Sequence, residues 1–155
     1  MKIAVISDIH GSFAALKAVI ADMNEAQADE VIFLGDLLFF GDEPQKCFET
    51  VKALHPLAWI RGNTDDWLNE IDESFSPTND IEQRCYDEFM RVNPMLSSEA
   101  RETVKALPEN EEVQIGDTRL LCVHGSDVKI NGSVGIMTPK EELEALASRL
   151  DCDIL

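Results

Sequence analysis

Residues 2–10 read KIAVISDIH, an apolar run that breaks at a carboxylate and an imidazole two positions apart. Such a run is a buried strand, and the polar break marks its end. Phe13, Leu16, Val19, Ile20 and Met23 then recur at helical spacing. Residues 30–34 (EVIFL) form a second buried strand, ended by Gly35-Asp36. Pro44 suits a first helical position, with Cys47, Phe48, Val51 and Leu54 on one face behind it. Residues 56–60 give a third strand, closed by Arg61-Gly62-Asn63-Thr64-Asp65. Strand, helix, strand, helix, strand predicts a parallel sheet with covering helices.

The rest of the chain is organised differently. Residues 66–108 hold two helical stretches and no strand, and are read as a helical insertion. Asp80 and Gln83 form a capping pair ahead of a stripe of Ile81, Cys85, Phe89 and Val92. Ala100, Val104 and Leu107 make a shorter stripe that Pro108 ends. Residues 112–115 and 118–123 predict a hairpin turning at Gly116-Asp117, whose second strand runs into His124-Gly125-Ser126. Residues 126–137 are expected to form a lid over the site, with Ile136 and Met137 tuning substrate range. Thr138 to Glu141 combines a capping box with Pro139 at the first helical position, followed by Leu143, Leu146 and Leu150. A further strand is expected to start within residues 151–155.

Bulk composition narrows the function classes. The 155 residues, 45% hydrophobic, suffice for one domain with a real core. Thirty acidic against 13 basic residues give a formal net charge of -17. That excess argues against a broad nucleic-acid or anionic-membrane footprint, but not against one phosphate ester at a site whose bound cations invert the local field. No apolar run reaches membrane-span length and no signal-peptide pattern opens the chain, so a cytoplasmic location is expected. The four cysteines, Cys47, Cys85, Cys122 and Cys152, form no C-x-x-C pair and are read as free thiols.

Four polar clusters occupy one structural address, the turn after an apolar strand: Asp8-Ile9-His10, Gly35-Asp36, Gly62-Asn63-Thr64-Asp65 and His124-Gly125. In parallel α/β sheets that edge is where sites assemble. Taken singly, each has a plain reading: a helix cap for Asp8, an Asx turn for Asp36, a left-handed turn for Gly62-Asn63, a core histidine for His124. Together they supply carboxylate, imidazole and amide donors, a mixture suited to first-row transition metals.

In this order, D-x-H, G-D, G-N-x-D and H-G, the motifs resemble the calcineurin-like metallophosphoesterases, most of all their small bacterial and archaeal phosphodiesterase branch. The resemblance implies an α/β sandwich of two mixed β-sheets flanked by helices. Residues 1–155 would be a single such domain lacking its C-terminal part. It further implies two divalent transition-metal ions, manganese first, with iron, nickel or zinc as alternatives. Asp8 and His10 would hold one ion, Asp36 would bridge both, and Asn63 and His124 would hold the second. Asn63 would also meet the substrate phosphate, and Asp65 joins it in the catalytic set by orienting the motif loop. Water activated between the ions would hydrolyse a small phosphate ester.

Two departures from the family pattern stand out. Thr64 occupies the position where many members carry a histidine that protonates the leaving group. The closing Gly-His-Thr-His motif has no counterpart here, because residues 153–155 are the strand it would follow. Its absence keeps open a catalytically impaired binding or scaffold protein as the alternative. His55 is read as structural, and Arg61 as either a substrate-phosphate contact or a structural ion-pair partner. The sequence leaves oligomeric state unassigned.

Overall fold

The computed structural model describes residues 1–155. β1 (Ile3–Ile6), β2 (Glu30–Phe33) and β3 (Ala58–Trp59) form a parallel sheet in that order, with Ile6 opposite Phe33 and Ile32 opposite Ala58. The crossovers are α1 (Phe13–Glu25) and α2 (Pro44–Leu54), which touch each other. Pro44 is the first residue of its helix, where a missing N–H costs nothing. His55 ends α2 in a left-handed conformation, a structural role.

Side-chain alternation divides the sheet between two cores. Ile6, Val31 and Phe33 face the helices in a cluster of 18 buried residues. Ile32, Ala58 and Ile60 face the other way and meet Cys122 in a cluster of four. The second cluster is roofed by an antiparallel hairpin of β4 (Asn110–Ile115) and β5 (Thr118–Val123). Gly116 turns this hairpin at φ +60°, which a glycine adopts freely. Ile154 adds a single parallel bridge to Leu120. The expected pair of sheets with flanking helices is therefore present, one sheet wholly parallel and the other a hairpin with the start of a parallel neighbour.

Residues 66–108 contain helices and no strand: α3 (Trp67–Glu70), then, after an irregular stretch over 71–79, α4 (Asp80–Val92), a 3-10 turn over Asn93–Met95, and α5 (Ser98–Ala106). Leu68, Phe89, Val92 and Val104 join Ile6 and Leu16 in the large cluster, so this segment completes the main core. Arg61 ties the segment to the third strand's end, donating to Asp66, the Leu107 carbonyl and Glu109.

Several local expectations are corrected. β1 is not buried on both faces, for Val5 is 60% exposed where the hairpin only partly roofs the sheet. The cap of α4 is Asn79, whose side chain accepts from Ile81 and Glu82, and not Asp80. Ile81 stands in solvent because the first turn of α4 extends past the core it packs on. Pro139 precedes α6 (Lys140–Arg149) as its cap residue, and the Thr138 hydroxyl accepts from Gly135 instead of capping the helix. Ile136 and Met137 are 101% and 88% exposed, so they touch too little to cover anything. No helix is long and apolar enough to cross a membrane.

The cap assignment is testable. Asn79→Ala is expected to cost about 1 kcal/mol, because two N–H groups lose their acceptor. Asp80→Ala, which removes only a first-turn charge, should cost less in the same urea titration.

Candidate metal centre

The four motif loops leave their strands at one edge, and main chain knits the first two together. Beyond the ladder of β1 and β2, Asp8 N–H donates to Gly35 O (3.0 Å), His10 N–H to Asp36 O (2.9 Å) and Gly11 N–H to Leu37 O (2.7 Å). The third loop approaches so closely that a Cβ on Gly35 would lie 2.2 Å from Gly62 N. Only glycine at both positions permits that contact.

At the junction sits Asp65, fully buried. Its carboxylate accepts from Leu37 N–H (3.1 Å), Leu38 N–H (3.3 Å) and Gly62 N–H (3.2 Å). Burial, then the neighbouring Asp36 charge, pushes its pKa up to about 6, with the three N–H donors opposing. Asp65 is thus ionised at neutral pH and binds two loops to each other. With no surface exposed, it meets no substrate; its place in the site is to position Asp36 and Asn63.

Asp36 lies at the centre. Its Oδ1 accepts from Thr64 N–H (2.9 Å), and its Oδ2 is 3.7 Å from His10 Nε2 and 3.5 Å from His124 Nε2. Burial alone would raise its pKa, but His124 and the Thr64 amide outweigh burial and hold it below the usual carboxylate range. On one side, Asp8, His10 and Asp36 bring ligand atoms within 4.8 Å of one another. On the other, His124 Nε2 is 3.0 Å from Asn63 Oδ1. All five residues expected as ligands therefore converge, in two groups that share Asp36.

The donor chemistry calls for a cation. His124 Nδ1 lies 2.7 Å from the Leu34 carbonyl, so Nδ1 carries the proton and Nε2 faces Asn63 Oδ1 and Asp36 Oδ2. A neutral imidazole there would set its lone pair against two oxygens; a proton or a metal ion relieves the clash. The Asp36 contact, offset by burial and aided by Leu34, raises the His124 pKa from 6.5 to about 9. His10 likewise turns Nε2 to the carboxylates, its Nδ1 being buried without a partner. The residues present fit divalent metal ions, which would displace the His124 proton.

The ligand loops are also strained. Six non-glycine residues have positive φ: Asp8 (56°), His10 (50°), Asp36 (56°), Gln27, His55 and Phe40 (86°). Gln27 and His55 follow helix ends, where the conformation is ordinary. Three of the other four, Asp8, His10 and Asp36, form the group that could hold an ion, and each left-handed residue costs roughly 1–2 kcal/mol. The inter-loop ladder and the Asp65 contacts offset that cost. Phe40 was not singled out in the sequence, nor were Glu88 and Arg91, which hold its backbone. No pattern distinguishes Phe40 from Phe39, yet Phe39 is buried and Phe40 is 56% exposed.

Asp65→Ala, which strands three buried donors, is expected to lower stability by about 3 to 5 kcal/mol in urea denaturation and to abolish divalent-ion binding. Because the raised His124 pKa means the folded chain holds a proton the unfolded chain releases, His124 stabilises the metal-free form fully below pH 6.5. That contribution disappears as pH rises through about 9. The ion competes for the same lone pair, so its apparent dissociation constant should fall about tenfold from pH 7 to 8 in calorimetric titrations.

Several known proteins resemble this chain in sequence or fold. Phosphodiesterase YfcE of Escherichia coli K12 is 28% identical over 170 aligned positions, covering 100% of this chain and 90% of YfcE. An uncharacterized protein of Methanocaldococcus jannaschii, MJ0912, is 40% identical over 63 residues, 41% of this chain but 26% of that protein. The structure of hypothetical protein PH1004 from Pyrococcus horikoshii superposes with a TM-score of 0.79 at 24% identity, covering 94% of this chain and 64% of that one. A metallophosphoesterase from Sphaerobacter thermophilus gives 0.68 at 25% identity, covering 98% and 57%. The chain thus spans less than two thirds of either solved structure. Residues 1–153 match the family model of the calcineurin-like phosphoesterase superfamily domain, and the chain belongs to that superfamily.

Proposed function

We propose that this chain is a metal-dependent phosphoesterase acting on small phosphate esters, phosphodiesters foremost. The observation that carries the reading is Asp36 Oδ2, within 3.7 Å of His10 Nε2 and 3.5 Å of His124 Nε2, one buried oxygen serving two ligand groups. Superfamily membership and the full-length alignment with a phosphodiesterase support it.

Asp8, His10 and Asp36 would hold one ion, and Asp36, Asn63 and His124 a second. Mixed oxygen and nitrogen donors suit first-row transition metals; manganese is proposed first on the family resemblance, with iron, nickel and zinc as alternatives. Such ions supply Lewis acidity and lower the pKa of water. Asn63 turns its Oδ1 to His124, leaving its Nδ2 amide as the donor for a phosphoryl oxygen. Asp65 keeps the Asn63 and Asp36 loops in register through its three backbone donors. Thr64 is buried and offers no proton at working pH, so substrates whose leaving group needs little protonation suit the site. The alternative of a scaffold with an idle site fits poorly with left-handed backbone at three ligand positions, a cost that binding surfaces elsewhere would not require.

Manganese-loaded protein is expected to hydrolyse bis-p-nitrophenyl phosphate, releasing nitrophenolate. Asp36→Ala and Asn63→Ala should each reduce kcat/KM by at least about a hundredfold. Absence of any cleavage across a panel of mono- and diesters with each of the four metals would reject the proposal.

A further inference from the structure

Phe40 is the one left-handed non-glycine residue that is neither a ligand nor at a helix end. Its ring is 56% exposed, so core packing does not explain why a bulky residue keeps a conformation it disfavours. The backbone on both sides is clasped by α4. Phe40 N–H donates to Glu88 Oε1 (2.6 Å), and Glu88 is itself fixed by Arg91 through Nε (3.0 Å) and Nη2 (2.8 Å). Arg91 then donates to Gly41 O (3.0 Å) and to Asp42 (3.2 Å). Two side chains of α4, Glu88 and Arg91, thus clasp the loop at Phe40 and Gly41.

The ring is directed at the metal centre. Its centroid lies 5.3 Å from that of His10, nearly edge-on at 70°, and 5.7 Å from that of Trp67 at 79°. His10 braces the ring on the ligand side and Trp67 on the interior side, while part of its surface stays open. A braced, partly exposed aromatic ring beside a ligand is a surface on which a flat group can stack.

We propose that Phe40 is the specificity-determining residue of this site, a platform on which a planar aromatic substituent of the phosphate ester stacks. The inference rests on the phosphoesterase reading and names its substrate class: esters with an aryl or heteroaryl group adjoining the phosphate. It accords with the buried Thr64, since aromatic alcohols leave without a strong acid. Alkyl esters of the same charge would meet the ligands without this contact.

The test uses binding, in which no bond is broken. In a Trp59→Phe background Trp67 is the remaining tryptophan, and it touches Phe40. Phenylphosphonate and methylphosphonate are titrated into the manganese-loaded protein, followed by calorimetry and by Trp67 emission. Phenylphosphonate is expected to bind at least about fivefold more tightly and to alter the emission, as one aromatic stacking contact allows. In Phe40→Leu that preference should fall below about twofold, and in Phe40→Tyr it should persist. Equal binding of the two phosphonates to the parent, or an undiminished preference in Phe40→Leu, overturns the platform and leaves the phosphoesterase reading standing. If manganese binds and neither phosphonate does, the phosphoesterase reading falls and takes the platform with it.

Discussion

One carboxylate with no solvent contact governs this molecule. Asp65 sits where the loops after β2 and β3 meet, and it answers three N–H groups that neither strand nor helix satisfies. A neutral acceptor could not serve all three donors so compactly. Burying the charge beside Asp36 is unfavourable, which is why its pKa moves up to about 6, but the three N–H donors oppose that shift and keep it ionised at neutral pH. Everything at the ligand edge follows from that tie: Asp36 takes its angle from residues 37 and 38, and Asn63 takes its own from residue 62.

The strained backbone is the counterpart of the tie. Asp8, His10 and Asp36 turn left-handed so that side chains two residues apart can point at a common space. Free loops would relax away from such conformations. Here each strained residue lies between inter-loop hydrogen bonds that extend the parallel ladder beyond the strands proper. The sheet thus contributes geometry as well as a platform, since its pairing pattern sets the spacing of the ligands.

Much of this was legible in the sequence, for a physical reason. Apolar runs that end in Asp, His or Asn announce both the strand and the edge it points to, so the parallel sheet, the hairpin and the shared address of the polar clusters could be read from pattern, while the ligand roles came from the family resemblance. What escaped depended on contacts between distant segments. Phe39 and Phe40 are chemically identical neighbours, and only packing against Phe89 and Trp67 decides which is inside. Asn79 and Asp80 are equally good caps on paper; the chain enters α4 one residue earlier than the Asp80-Gln83 pair suggested. Ile81 had the right spacing but no neighbour to face. Residues 126–137 had the composition of a lid, whereas the structure turns them back on themselves through Ser126 and Lys129.

The two cores also differ greatly in size, 18 buried residues against four. Asp8, His10 and Asp36 follow strands that reach the larger one, and Asn63 follows β3, which sets Trp59 against the larger and Ala58 in the smaller, whereas His124 rides on a hairpin that closes over the smaller. A breathing motion that lifts the hairpin would withdraw a single imidazole, with its tether to Leu34, and leave the other four donors where they are. Occupancy of the His124 side would then be coupled to local order: an ion held there would fasten the two layers, and its departure would loosen the roof before disturbing the floor.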